Sequence, residues 1–172
     1  MSDKYSTPGV DQVVTNPLLT GLSGAATTFS TSAFVASFRS ILKSVGAVAG
    51  GASATTDIVT GKAFNALIGG GSVANAPGQG CVFLWLIKND GSTMAVAQSN
   101  LVALDAQDNF TWQPPNFPAV PDSFIPFAYS VIKAKNAASA AGWLFGTNNW
   151  NVSGIGISVA NLATLPDRLV VA

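Results

Sequence analysis

The sequence predicts an all-β protein, an antiparallel β-sandwich or a small β-barrel with an extended N-terminal arm. Two observations lead to this fold class. Many short apolar segments are separated by glycine, proline, asparagine and aspartate, which is typical of short strands joined by turns. The segment 81–88 is almost wholly apolar, is followed by Asn89-Asp90-Gly91, and gives way to a second apolar run at 93–98. An Asp-Gly pair between two such runs predicts a hairpin with a type I′ turn, in which both central residues have positive φ.

The first strand of that hairpin is apolar on both of its faces. Alternation places Cys81, Phe83, Trp85 and Ile87 on one face, with Val82, Leu84 and Leu86 on the other. A strand of this kind has to be covered on both sides, so we expect it at the centre of a sheet. The rest of the chain is expected to cover it.

Residues 1–28 are predicted to form an extended arm, and residues 29–172 a single β domain. The arm holds Pro8 and Pro17 with many Ser and Thr, and no strand or helix period is visible in it. It could be a frayed terminus. Its apolar residues favour instead an arm that orders against a neighbouring subunit, and they include Val13, Val14, Leu18 and Leu19.

The segment 33–45 fits two structures. Its apolar residues lie near one face of a helix, but they also form two short runs on either side of Arg39-Ser40, as in a hairpin. Periodicity alone slightly favours the helix.

Several further strands are expected later in the chain, after the short segment 63–68, which fits a strand or a helical turn. They cover 100–104, 125–134 and 143–145. In the second of them, Ile125, Phe127, Tyr129 and Val131 should share one face.

The proline-rich run 112–121 lies between the first two of these strands. Its prolines exclude a helix and a central strand, and we expect the run to pack across the end of the fold. In the strand 154–160, Gly154, Gly156 and Ser158 leave one face nearly bare, which indicates close approach of another backbone.

The composition argues against catalysis, metal binding, nucleic-acid binding and membrane insertion. Charged residues make up 9% of the chain, the net charge is zero, and the basic residues are scattered, which argues against a nucleic-acid partner. The chain has no His, all its acidic residues are Asp, and Cys81 is its single cysteine. No apolar run is long enough to cross a membrane. We therefore expect no enzyme activity, no cofactor, no metal and no membrane partner, in a protein that is synthesised in a cytoplasm.

A series of short segments between residues 29 and 168 resembles a family of small virion structural proteins of tailed bacteriophages, of the capsid decoration or cement type. In order, the segments are Ala33-Phe34, Thr55-Thr56-Asp57, Gly61-Lys62-Ala63-Phe64, Cys81-Val82-Phe83, Asn89-Asp90-Gly91, 117–122, 126–133, 145–150 and 164–168. In that family the pair of segments after Ala-Phe is joined by an Asp-Gly or Asn-Gly turn, so the resemblance favours the hairpin for 33–45. Arg39-Ser40 stands in the place of that turn here.

The resemblance implies a decoration protein on the outer surface of a phage head, with the major capsid protein and further copies of itself as partners. The oligomer that this setting favours is a trimer. Low charge agrees with a surface that is covered by neighbours. The residues expected at such interfaces are Val13, Val14, Leu18, Leu19, Trp112, Phe117, Trp150, Gly154 and Gly156. The alternative is a phage fibre or receptor module that binds glycans through Trp112, Trp143, Trp150 and the loop 148–151, because aromatic faces stack on sugar rings.

Overall fold

The computed structural model describes residues 11–39, 41–69, 78–111, 113–135 and 137–162, and all strand pairing within them is antiparallel. This confirms the predicted all-β class. The strands are β1 Gln12–Val13, β2 Thr28–Thr31, β3 Phe34–Phe38, β4 Ile41–Val45, β5 Val48–Ala52, β6 Gln79–Lys88, β7 Met94–Gln98, β8 Val102–Ala103, β9 Phe124–Ala134 and β10 Ile155–Asn161. A single turn of 3-10 helix covers Ala138–Ala140.

Within the described parts of the chain, the strands form one large sheet and two small ones. The large sheet has the order β10-β9-β6-β7, and β8 pairs with β6 on the same side as β7. A three-stranded sheet, β1-β3-β4, and a two-stranded sheet, β2-β5, contribute to the layer that packs on its inner face. Aromatic pairs join the layers: Phe34 lies 5.4 Å from Phe127, and Phe29 lies 5.0 Å from Trp85, between ring centroids.

β6 lies in the middle of the large sheet and is buried on both faces, as its sequence predicts. The residues of its inner face, Cys81, Phe83, Trp85 and Ile87, belong to the main core. Leu84 and Leu86 on the outer face form a smaller core with Ala95 and Ala97 of β7. The chain is therefore built around this strand.

The outer face of the sheet is partly covered by the segment that follows β8. Phe117, in the proline-rich run, packs edge-on against Tyr129 of β9 at 5.1 Å, and the Asn116 amide donates to Asn100 Oδ1 at 3.2 Å. The run thus contacts a sheet face, whereas the sequence led us to expect it across the end of the fold. Because proline has no backbone N–H, this run cannot pair as a further strand of the sheet. Its side chains can still pack on the face of the sheet.

The segment 33–45 is a hairpin, so the choice made from the resemblance is confirmed. β3 and β4 pair in full register from Phe34 opposite Val45 to Phe38 opposite Ile41. The turn places Arg39 at a φ of +47°, a conformation in which glycine is usual. The Asp11 carboxylate accepts a hydrogen bond from the Arg39 amide, and this contact helps to hold the turn without glycine.

The β6–β7 hairpin is also confirmed, but its predicted turn type is wrong. Gly91 has a φ of +76°, whereas Asp90 is not among the residues with positive φ. The Lys88 amide donates to the Thr93 carbonyl at 2.9 Å, and the Gly91 amide donates to the Lys88 carbonyl at 2.8 Å. The loop is therefore longer than a two-residue type I′ turn, and only its glycine needs the left-handed conformation.

A bulge changes the faces of β9. Trp85 pairs with Ala128 and Leu86 pairs with Pro126, so Phe127 is the additional residue. Phe127 and Ala128 both belong to the main core, while Tyr129 belongs to the outer cluster. The prediction that Phe127 and Tyr129 share a face is wrong, because a bulge inserts one residue and inverts the alternation beyond it.

The two smaller predicted strands are shorter than expected, and the segment 63–68, for which a strand or a helical turn was expected, contains only isolated bridges. The segments 63–68 and 143–145 meet in a single bridge between Leu67 and Trp143, and the predicted strand 100–104 contracts to β8.

Candidate interaction surfaces

Part of the predicted N-terminal arm packs on its own domain. β1 pairs with β3, and the amide and carbonyl of Thr20 exchange hydrogen bonds of 2.9 Å with Ser30. Val13 and Leu19 are buried in the main core. This corrects the expectation that Val13 and Leu19 contact a neighbour, because apolar side chains of the arm are used to complete the core of the same chain. Residues 1–10 lie outside the described residues.

Val14 and Leu18, the other two predicted interface residues of the arm, are exposed. The Leu19 amide donates to Asn161 Oδ1 at 2.8 Å, which brings Leu18 close to the end of β10. Leu18 has 52% of its surface exposed and a φ of +45°.

Two tryptophans proposed for binding are core residues. Trp143 and Trp150 are each 2% exposed, and their rings lie 5.7 Å apart. Trp143 Nε1 donates to the Asn149 carbonyl at 3.0 Å, and Trp150 Nε1 donates to the Thr28 carbonyl at 2.8 Å. Trp150 is thus not an interface residue in this structure, because a fully packed indole with a satisfied N–H has no free face. Trp112 lies outside the described residues.

The two glycines predicted at an interface are explained within the chain. Gly154 has a φ of +84°, and a Cβ built on it would lie 2.5 Å from the Cβ of Ala137. A Cβ on Gly156 would lie 3.2 Å from Cε of Lys135. The close approach inferred for these positions is therefore made by neighbouring segments of the same protomer. Among the predicted interface residues that the structure describes, Phe117 is the most exposed, at 59%.

The most exposed apolar strand of the described structure is β4, which the sequence did not single out. Ile41 and Leu42 are 60% and 66% exposed, and they point to opposite faces of the strand. β4 is also the edge of its sheet. In the sequence, the exposure of β4 could be inferred only from a pair of large apolar residues beside a turn. The same pattern occurs in strands that are buried in a core.

The backbone of β4 has hydrogen-bonding groups without a partner strand. The Val14 amide donates to the Val35 carbonyl, so Val35 faces β1, and the register then directs Phe34, Ala36 and Phe38 toward β4. Their partners on β4 are Val45, Lys43 and Ile41. The amides and carbonyls of the intervening residues, Leu42 and Ser44, consequently point away from the sheet.

A cleft of about 330 Å³ lies between the tip of the β3–β4 hairpin and the β6–β7 loop. Ile41 lines it, and its charged residues are the cations Arg39 and Lys43 and the carboxylates Asp11, Asp90 and Asp122. Hydrogen bonds from Ser92, with Lys88 contributing, lower the pKa of Asp90 to about 2. The cleft therefore carries permanent charge beside an exposed apolar strand.

Cys81 is buried in the core, and Gln98 Nε2 lies 3.7 Å from its Sγ. Desolvation raises the pKa of the Cys81 thiol to about 12, and the contact with Gln98 opposes part of this shift. Since the thiolate is the nucleophile, this side chain is not poised for reaction.

We predict that Cys81 resists iodoacetamide in the folded protein at pH 8 and reacts fully after denaturation in guanidinium. Because the pKa in the folded state lies above the ordinary value of 9.0, the unfolded state loses its proton first as pH rises. The free energy of unfolding should therefore fall from pH 9 toward pH 12 by this contribution. Rapid alkylation of the native protein would contradict the burial.

Among the described residues, no group of three His, Cys, Asp or Glu side chains is arranged to hold a metal ion. The same part of the chain contains no helix that is long and apolar enough to cross a bilayer. No protein-family model matches the sequence, and comparison with curated proteins and with solved structures gives no match.

Proposed function

We propose that the protein is a structural component of a tailed-phage virion, a decoration protein that attaches to the outer surface of the head and stabilises it. The observation that carries this proposal is the β4 edge, which presents Ile41 and Leu42 together with backbone groups that have no hydrogen-bond partner among the described residues. The order of the segments that resemble phage virion proteins supplies the setting. The proposed partners are the major capsid protein and further copies of this chain.

Attachment through β4 needs no reactive chemistry. An extended segment of the capsid protein would add a strand beside β4, and its backbone would bond to the amides and carbonyls of Leu42 and Ser44. Burial of Ile41 and Leu42 would supply the apolar contribution, at about 25 cal/mol per Å². A protein that binds only the assembled shell stabilises that shell by mass action.

The glycan-binding alternative has less support. Trp143 and Trp150 have no exposed ring face, and Asn148 Oδ1 already accepts a hydrogen bond from the Leu144 amide at 2.7 Å. Stacking and recognition of hydroxyl groups would depend on these side chains and on Trp112, which lies outside the described residues. We therefore favour the decoration protein.

The test is the affinity of Ile41→Lys for undecorated phage heads, measured by co-sedimentation. Lysine at an edge strand discourages strand addition, and the carboxylates of the cleft can accommodate its charge. We expect binding to weaken by about tenfold to a hundredfold, as the loss of one buried isoleucine implies.

Ile68→Lys is the matched control, because Ile68 is also highly exposed, at 56%, but lies outside the strands. It should bind heads as the unmodified protein does. The proposal fails if the unmodified protein does not bind heads, or if Ile41→Lys binds them with unchanged affinity.

A further inference from the structure

β10 is an edge strand that lacks the usual protection against pairing. It ends the large sheet, and its seven residues, Ile-Gly-Ile-Ser-Val-Ala-Asn, include no charged residue and no proline. The opposite edge of this sheet, at β7, is partly covered, since the Ile58 amide donates to the Val96 carbonyl at 3.0 Å. The β4 edge carries Lys43. Edge strands normally bear a charge, a proline or a cover. Among the described edge strands that contain neither a charge nor a proline, which include β5, β10 is the longest.

The register with β9 shows which backbone groups of β10 are free. The Lys135 amide donates to the Gly154 carbonyl, and the Leu162 amide donates to the Phe127 carbonyl, at 2.8 and 2.9 Å. In an antiparallel ladder these bonded pairs alternate, so the even-numbered residues of β10 face β9. The odd-numbered residues face outward. Within the described parts of the chain, the outward amides of Ile157, Val159 and Asn161 have no hydrogen-bond acceptor.

The strand is complementary to itself about a two-fold axis. With two copies antiparallel and centred on Ser158, Ile157 of each copy lies opposite Val159 of the other. The outward amides of Ile157 and Val159 then meet outward carbonyls. At the ends of the pairing the Asn161 amide meets the Ile155 carbonyl, whereas the Ile155 amide already donates to the Val152 carbonyl at 3.0 Å. A pair of β-branched residues is a favourable cross-strand neighbour, and no like charges oppose each other.

The side chains around the edge fit this arrangement. On the inner side Val159 is 38% exposed, and Leu18 lies near the end of the strand through the hydrogen bond from the Leu19 amide to Asn161. On the outer side Gly156, Ser158 and Ala160 are small, and a neighbouring strand would meet there the flexible side chain of Lys135, which lies beside Gly156.

We propose that β10 pairs with β10 of a second copy of this chain, antiparallel and in the register centred on Ser158. The pairing would join the two large sheets into one continuous sheet. A two-fold contact closes on itself and does not propagate into a fibre. An edge strand without charged residues can therefore be tolerated here, because the dimer covers it. The contact differs from the trimer that the virion setting suggests, and it requires no shell.

The experiment compares the mass in solution of the unmodified protein, Val159→Lys and Val120→Lys by light scattering after gel filtration. Val120 is the matched control, because it has the same residue type and the same exposure, 38%, but lies in the proline-rich run. We expect a dimer for the unmodified protein and for Val120→Lys. Val159→Lys should be a monomer, with dimerisation weakened by about a hundredfold, since the substitution occurs twice in each dimer.

Amide hydrogen exchange of the unmodified protein provides the second measurement and does not depend on a variant that folds. The amides of Ile157, Val159 and Asn161 should be protected, and their protection should be lost on dilution, while Ser158, which faces β9, stays protected. A monomer, a dimer unaffected by Val159→Lys, or a trimer with unprotected Ile157 and Val159 overturns the proposal. Since Val159→Lys keeps the β4 edge, its binding to heads tests the decoration function separately.

Discussion

Replacing Phe145 with alanine should lower the free energy of unfolding by about 3–5 kcal/mol, the range found for large buried aromatic residues. Phe145 is 1% exposed and is the centre of the aromatic cluster. Its ring stacks on Phe83 at 4.2 Å and contacts Phe64, Trp150 and Trp85 at 4.9, 5.3 and 5.6 Å. The substitution would leave a cavity between the large sheet and the segments that cover it, because these four partners come from three separate parts of the chain: β6, the segment at Phe64 and the segment at Trp150.

Urea denaturation followed by tryptophan fluorescence measures this loss. Phe117→Ala is the control, since Phe117 is 59% exposed and, among the described residues, its ring has one aromatic neighbour, Tyr129. Its cost should stay below about 1 kcal/mol, as for most exposed positions. Equal losses in the two variants would show that the cluster around Phe145 does not hold the layers together.

The central strand was predictable because its pattern leaves few alternatives. An uninterrupted apolar run followed by Asn89-Asp90-Gly91 specifies a buried strand and a turn with local information alone. Both faces of β6 are covered as that pattern requires.

The hairpin at 33–45 was harder to predict, because a helix and a hairpin both fit its apolar residues. The resemblance decided it correctly, although Arg39 takes a conformation that favours glycine.

The faces of β9 could not be predicted from alternation. The bulge at Phe127 depends on how β9 aligns with β6, which is a tertiary property.

The burial of the tryptophans also depends on tertiary packing and could not be predicted from the sequence. Residue type does not distinguish a core indole from a binding indole, and Trp150 is fixed by a hydrogen bond to Thr28, far away in the sequence.

Low charge indicated an associating surface but not its location. The residues chosen for it from the sequence include Val13 and Leu19, which complete the core of their own chain. The surfaces that we propose instead are edges, at β4 and β10. An edge is defined by which strand lies last in a sheet, and strand order is not visible in local sequence.

Gly146→Ala should destabilise the fold by about 2–5 kcal/mol, from two additive costs. Gly146 has a φ of +71°, where a side chain costs about 1–2 kcal/mol. A Cβ at this position would also lie 2.0 Å from the carbonyl oxygen of Ala54. Because that atom belongs to the backbone, no side-chain rotation relieves the overlap, and such overpacking costs about 1–3 kcal/mol more.

Gly142→Ala separates the two costs. Gly142 has nearly the same conformation, with a φ of +72°, but a Cβ there would have no atom within 4 Å. It should therefore lose only the conformational part, and thermal or urea unfolding should rank it between the unmodified protein and Gly146→Ala. If the two alanine variants unfold at the same denaturant concentration, the segment 143–150 does not pack on Ala54 as described. A difference of about 1–3 kcal/mol between their free energies of unfolding would instead measure the cost of the overlap with Ala54. It would show that the segment 143–150 packs closely on the loop after β5, beside the aromatic cluster.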